Sequence, residues 1–210
     1  DGNTALMIAV RKENIEVITS LCDTFKDTID INKQNKFGNT ALMIATNYDI
    51  NVKVIQYLCD TFKDTIDFSI QNNDGYTAYL LSTQNSNKEV KKYLYTTIDI
   101  NAQNKNGDTE FMLTIKSQTV DYGIIYYLYC TNSDTIDINI QNNDGETALM
   151  LAIKSNMDSI IIKHLFDTFK DTIDITKQDN NGNTALMLAV RFNTNVLIQY
   201  LCDVLQNKTY

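Results

Sequence analysis

The sequence predicts an all-α solenoid in which helix pairs are joined by β-hairpin loops. Three observations carry that reading. The stretch Gly2-Asn3-Thr4-Ala5-Leu6-Met7-Ile8-Ala9 returns as Gly38-Asn39-Thr40-Ala41-Leu42-Met43-Ile44-Ala45 and as Gly182-Asn183-Thr184-Ala185-Leu186-Met187-Leu188-Ala189, with looser copies from Gly75, Gly107 and Gly145. The six glycines lie roughly 32 to 38 residues apart, the period of stacked units that are each too small to bury their own apolar face. Behind each glycine come apolar residues at helical rather than strand spacing.

Repeat 1 (1–36) sets the plan. Asp1-Gly2 is a turn signal, because glycine supplies the positive φ of a tight hairpin. Thr4 is a helix N-cap candidate whose hydroxyl faces free backbone N–H groups. Ala5 to Val10 are all apolar, as expected of an inner helix buried on several sides between neighbouring repeats. A second helix starts near Asn14, where Val17, Ile18, Leu21 and Cys22 give one core-facing stripe. The segment Asp23–Asn32 leads back to the next hairpin.

Repeats 2 (37–73), 5 (144–180) and 6 (181–210) follow this plan, and the connector beginning at Asp23 recurs almost unchanged from Asp60 and from Asp167. Repeat 3 (74–105) is short because its connector is cut to Leu94–Asp99. Repeat 4 (106–143) is the most irregular. Glu110 opens its inner helix, where a carboxylate suits the positive end of the helix dipole, and its loop around Ser117–Asp121 is longer. The uniform repeat argues for one continuous array over 1–210, a segment of a longer one, since terminal solenoid repeats normally carry polar caps and repeats 1 and 6 keep the apolar pattern.

Six such motifs in phase resemble the ankyrin repeat over the whole chain. Ile138-Asn139-Ile140-Gln141-Asn142-Asn143-Asp144-Gly145-Glu146-Thr147-Ala148-Leu149-Met150-Leu151-Ala152 follows that family's frame, and Ile100-Asn101-Ala102-Gln103-Asn104 its strand. The family's Thr-Pro-Leu-His becomes Thr-Ala-Leu-Met here, and the chain has no proline. Met7, Met43, Met112, Met150 and Met187 stand where the family has histidine, with Leu80 in repeat 3. A flexible thioether is expected to pack there without needing a hydrogen-bond partner. The resemblance implies a non-catalytic interaction module whose contacts lie at the hairpin tips and inner helices.

Composition narrows the function classes. The net charge of −8 and pI near 4.6 argue against nucleic acid and anionic membrane surfaces, both of which need clustered positive charge. No apolar run approaches the ~18 to 20 residues that span a bilayer. The four cysteines have neither metal-ligand nor redox spacing. Cys22, Cys59 and Cys202 occupy one repeat slot behind a leucine and read as core packing, whereas Cys130 is one position out of phase. Free cysteines favour an intracellular setting, and an extracellular one fits a filament; the compartment stays open. The single histidine, His164, sits in a slot otherwise held by Ser20, Tyr57, Tyr93, Tyr127 and Tyr200. No nucleophile motif, phosphate loop or metal pair accompanies it, so the sequence points to no catalytic residue, cofactor, metal or small-molecule substrate.

Four surface features are candidates for binding. Phe37 and Tyr76 place aromatics at hairpin tips. Arg11, Asn47, Gln84, Lys116, Lys154 and Arg191, seven residues after each repeat threonine, form a polar-to-basic row suited to an acidic or amide-bearing partner, with Tyr48 and Phe192 beside it. The same row is also what the negative ends of the inner helices favour. The tyrosine row on the second helices reads either as a lateral contact surface or as inter-repeat filler with its hydroxyls in water. The aspartate-lysine connectors read as a solvated face, with Lys26, Lys63 and Lys170 relieving Asp23, Asp60 and Asp167. Two functions remain open: a protein-interaction scaffold, and a structural subunit that stacks head-to-tail on further copies of itself into filaments.

Overall fold

The computed structural model describes residues 1–47, 51–84, 88–116, 135–155, 157–192 and 195–207. Among them lie eleven helices and no named strand, in an all-α solenoid. The chain divides into two compact units, Asp1–Ile98 and Asp99–Tyr210, and the division falls in the shortened connector of repeat 3. The first unit holds α1 (Ala5–Arg11), α2 (Ile15–Phe25), α3 (Ala41–Asn47), α4 (Val52–Thr61), α5 (Ala78–Gln84) and α6 (Lys88–Thr97). The second holds α7 (Glu110–Lys116), α8 (Ala148–Lys154), α9 (Ser159–Phe169), α10 (Ala185–Arg191) and α11 (Asn195–Asn207). Within the first unit α1 packs on α3, α3 on α5 and α4 on α6; within the second α7 packs on α8, α8 on α10 and α9 on α11.

Each inner helix starts where its threonine predicts. The hydroxyls of Thr4, Thr40, Thr77, Thr109, Thr147 and Thr184 all accept the backbone N–H three residues on, at 3.1–3.4 Å. Such a cap satisfies one of the orphan donors of a helix start and contributes about 1 kcal/mol. The methionines do more than the sequence suggests. Met7 Sδ accepts the Thr4 N–H at 3.3 Å, and Met43 Sδ accepts that of Thr40 at 3.4 Å. The thioether is therefore a reciprocal capping partner in these two repeats and not only filler, since a sulfur lone pair is a weak acceptor.

The hairpins form as hydrogen-bonded turns; the one bridge among the described residues joins Gln178 and Thr184. In repeat 2 the Asn35 N–H donates to Asn39 O at 3.0 Å, the Gly38 N–H donates to Asn35 O at 3.0 Å, and Asn35 Oδ1 accepts the N–H groups of Phe37 and Asn39. The same turn recurs around Asn72, Asn104, Asn142 and Asp179. Gly38 adopts φ 77°, the left-handed region that side chains avoid.

Consecutive repeats are joined by side chains that act as backbone partners. Asn32 Nδ2 donates to Thr65 O at 2.7 Å while Asn32 Oδ1 accepts the Asp67 N–H at 2.8 Å. Asn101 bonds Thr135 and Asp137 in the same way, and Asn139 bonds Thr172 and Asp174. Irregular backbone beside a core must find partners somewhere, and here an amide one repeat away supplies them.

The core lies between the helix layers. Ala41–Thr46 of α3 and Ala148–Ile153 of α8 are buried throughout, as all-apolar inner helices require. In α1 the expectation fails on one side: Ala5 and Ile8 are exposed. The outer helices bury one stripe, for example Val54, Ile55, Leu58 and Cys59 of α4. Cys22 and Cys59 are buried and free as their slot predicts, while Cys202 is half-buried. Cys130, Tyr127 and the long loop of repeat 4 lie outside the described residues.

Candidate functional site

The hairpin tip of repeat 2 presents an aromatic on a fixed backbone. Phe37 is 59% exposed. Its N–H donates to Asn35 Oδ1 at 2.9 Å, and its carbonyl accepts the Asn73 N–H at 3.0 Å. Behind it, a Cβ on Gly38 would stand 2.6 Å from Asn73 N and 2.8 Å from Asn72 Cα. The tip thus abuts the next hairpin closely at Gly38, while the Phe37 side chain beside it stays largely in water. Tyr76 is half-buried, and its N–H is held by Asn72 Oδ1 at 2.9 Å.

The basic row is not uniform. Lys116 Nζ lies 2.6 Å from Asp108 Oδ1 and 2.7 Å from Oδ2, and Asp108 also accepts from Asn142 Nδ2 at 2.9 Å. Lys154 pairs with Glu146. Both carboxylates are buried at the hairpin bases. The next hairpin carries Asp179, where burial pushes the carboxyl up but hydrogen bonds from Asn183 and Asn181 win and hold it below its ordinary value. The charges of Lys116 and Lys154 are therefore met inside the second unit. Arg11 and Arg191 differ: both are exposed, and neither has an acidic partner among the described residues. The reason is one residue, since the acid before the repeat threonine in repeats 4 and 5 is Asn3 in repeat 1 and Asn183 in repeat 6. Phe192 is exposed beside Arg191, together with Met187 and Val190. Asn47 is exposed at the end of α3 and Gln84 closes α5; Tyr48 lies outside the described residues.

The tyrosine row and the aspartate connectors meet each other. Tyr57 OH donates to Asp23 Oδ1 at 2.9 Å, Tyr93 OH to Asp60 Oδ1 at 3.5 Å and Tyr200 OH to Asp167 Oδ1 at 2.7 Å. The hydroxyls are thus not simply in water, and among the described residues none of Lys26, Lys63 and Lys170 pairs with an acid. Burial and the Asp60 charge push the Tyr93 phenol up to about 12, and the bond to Asp167, followed by burial, does the same for Tyr200. His164 is half-buried on α9. Among the described residues no group of three metal-ligating side chains converges, and no helix is long and apolar enough to cross a membrane.

Comparison with known proteins agrees with this geometry. The family model for ankyrin repeats in three copies matches residues 25–104 and 111–209, and that for a single ankyrin repeat matches residues 1–36. No curated protein matches the sequence. Among solved structures, a chain from the complex of the Bd0816 predatory endopeptidase of Bdellovibrio bacteriovorus with immunity protein Bd3460 is 25% identical, with TM-score 0.55, covering 97% of this chain and 99% of that one. The ankyrin repeat protein EF0377 is 21% identical with TM-score 0.61, covering 94% and 96%. An ankyrin repeat domain from Acinetobacter baumannii AYE is 19% identical with TM-score 0.60, covering 95% and 96%. With the capped inner helices, the positive-φ glycine turns and family models that together span most of its length, the chain belongs to the ankyrin-repeat family.

Proposed function

We propose that the chain is a non-catalytic protein-binding scaffold that engages its partner through the hairpin tips and the ends of the inner helices. Ankyrin repeats are in general protein-interaction modules, and one similar chain comes from a complex between an endopeptidase and an immunity protein. The observation that carries the reading is Phe37: a large apolar side chain held in water on a backbone hydrogen-bonded on both sides, through its N–H to Asn35 and its carbonyl to Asn73. Aromatic anchors on rigid supports are the groups that dominate binding energy, because little entropy is lost when they dock. In the second unit the contact is Phe192 with Arg191, whose guanidinium meets no acid among the described residues. Lys116 and Lys154 frame that surface but contribute less charge, being paired, and Tyr76 adds to the tip of its own hairpin. The partner is a protein surface with an apolar pocket and an acidic or amide group.

The test is cross-linking from a photoreactive side chain at position 37, read by mass spectrometry in the native host, against the same group at exposed Lys63. Adducts specific to position 37 support the reading for the first unit, and the same group placed at position 192 tests the second unit by itself. Equal adducts at positions 37 and 63 sink it.

A further inference from the structure

A cavity of about 410 Å³ opens between the connectors of repeats 1 and 2, with one wall from each. It is therefore interior to the array, at a junction within the first unit. Its floor is apolar, made by the buried side chains of Ile31 and Phe62. Its rim is acidic. Asp27 and Asp64 hold the same slot in the two connectors, since Leu21–Asp30 and Leu58–Asp67 have the same ten residues. Both line the cavity, both are exposed, and Asp30 adds a third carboxylate. Lys26 lines the cavity too, but it forms no ion pair with any of the three. The carboxylates of Asp27 and Asp64 meet neither a cation nor a hydrogen-bond donor among the described residues. Stacking the repeats has thus set two like charges in successive copies of one slot without an internal counter-charge. The walls are held by backbone bonds. Asn32 spans the junction to Thr65 O and the Asp67 N–H. The N–H groups of Thr28 and Ile29 donate to Phe25 O, and those of Thr65 and Ile66 donate to Phe62 O. A ligand that docks here meets carboxylates on backbone already ordered, which lowers the cost of binding.

The combination selects a ligand chemistry. Among the described residues no three metal-ligating side chains converge, so these carboxylates stand too far apart to enclose a bare ion. An anion is repelled by the rim. A purely apolar group covers the floor but leaves the rim without a counter-charge. An arginine side chain meets both demands. Its methylenes lie against Ile31 and Phe62, and its planar guanidinium has five donors to divide between Asp27 and Asp64. The volume falls in the range of sites that take small ligands. The net charge of −8 draws a basic segment towards the chain. We propose that this cavity receives an arginine side chain from a basic segment of a protein partner. The site is separate from the Phe37 tip and does not rest on that reading. Repeat 3 cannot extend it, because its cut connector, Leu94–Asp99, lacks the Phe-Lys-Asp of the full connectors and so has no carboxylate in the slot of Asp64.

The experiment is an amide NMR titration of the isotope-labelled 210-residue chain with N-acetyl-arginine amide, up to about 50 mM, because a single side chain docks with a Kd in the millimolar range. Saturable shifts are expected at the amides of Asn32, Thr65 and Asp67. N-acetyl-citrulline amide, which keeps the shape but not the charge, is expected to give none at matched ionic strength. Asp27→Asn with Asp64→Asn should weaken binding at least tenfold, as expected from loss of hydrogen bonds to charged groups. Both side chains are exposed and meet no internal partner among the described residues, so the fold tolerates the change; the unshifted remainder of the spectrum checks this. Asp74→Asn with Asp144→Asn removes the same charge at two exposed hairpin tips, where repeats 4 and 6 already carry Asn106 and Asn181. That variant should bind as the wild type does. Absence of saturable shifts at the cavity overturns the proposal. So does citrulline binding as well as arginine, and so does an equal loss in the hairpin-tip variant, which would reduce the effect to general attraction by an acidic chain.

Discussion

The Tyr57 hydroxyl donates to Asp23 Oδ1 at 2.9 Å, joining the second helix of one repeat to the connector of the repeat before it. The same bond recurs at Tyr93–Asp60 and Tyr200–Asp167. Burial at Tyr93 and the Asp167 acceptor at Tyr200 favour the neutral phenol, so the folded chain holds those protons to higher pH than the unfolded chain does. The contribution is complete below the ordinary phenol value of 10.0 and is lost as pH rises from there towards about 12, the range to which Tyr93 and Tyr200 are pushed. Chemical denaturation of wild type between pH 9 and about pH 12 should therefore show stability falling across this window. Tyr200→Phe should lower stability by about 1 kcal/mol at neutral pH and flatten part of the alkaline decline.

Gly38 and Gly182 have nearly the same backbone, φ 77° and 78°, but different surroundings. A Cβ on Gly38 meets backbone and side-chain atoms of Asn73 at 2.6 Å, whereas a Cβ on Gly182 meets nothing within 4 Å. Gly182→Ala should cost only the conformational penalty of the left-handed region, about 1 kcal/mol. Gly38→Ala adds displacement of the neighbouring hairpin and should cost ~2 kcal/mol more. Thermal melts of the two variants, side by side, separate the contributions. Equal losses would mean that the hairpins are not in close contact.

Asp108 is buried and is compensated by Lys116 and Asn142. Removing the cation alone strands a desolvated carboxylate. Lys116→Met should therefore destabilise by about 1 to 2 kcal/mol, less than for a fully buried pair because the lysine end is partly in water. Asp108→Asn on top of it should recover most of the loss, since Asn keeps an acceptor for Asn142 and removes the charge. A double-mutant cycle by urea denaturation reads the coupling. Simple additivity would show that the pair is not acting as one.

Burial, with the Asp23 charge beside it, pushes the Cys22 thiol up to about 11, and burial pushes that of Cys59 up to about 12. The thiolate is the reactive form, so both should resist alkylation in the folded chain. Cys202 is half-buried in an equivalent slot. Native iodoacetamide labelling mapped by peptide mass spectrometry should modify Cys202 well before Cys22 and Cys59.

The helices were legible because their determinants are local. Thr4 and its five counterparts cap within three residues, and Gly38 makes its turn within four. The pairings that reshape the candidate site were not legible in that way. Lys116 reaches Asp108 from the far end of its own helix, so a row aligned only on the repeat threonines shows six similar positions where the structure separates two paired lysines from two arginines that meet no acid among the described residues. The Tyr57–Asp23 bond joins adjacent repeats, and it needed the registry between connectors and outer helices that alignment of single repeats does not contain. The acceptor role of the Met7 thioether depends on its rotamer, which spacing along the chain does not carry. The exposure of Ile8 has a similar origin: its sequence matches Ile44, and only the neighbour on one side differs.

Asn32 binds Thr65 and Asp67, and Asn139 binds Thr172 and Asp174, with near-equal geometry. Because Asn32, Asn101 and Asn139 each find their acceptors at the same place in the following repeat, any two repeats with this amide can be neighbours; Ser69 and Thr176 hold the slot in the other two. An in-frame duplication or loss of one whole repeat in the gene leaves every amide facing a backbone that fits it. A gain or loss of a few residues within a repeat does not, because it moves the amide and its acceptors out of step. The length of the array can therefore change in evolution by whole units at small energetic cost, and the near-identical connectors of repeats 1, 2 and 5 are what such a history leaves behind.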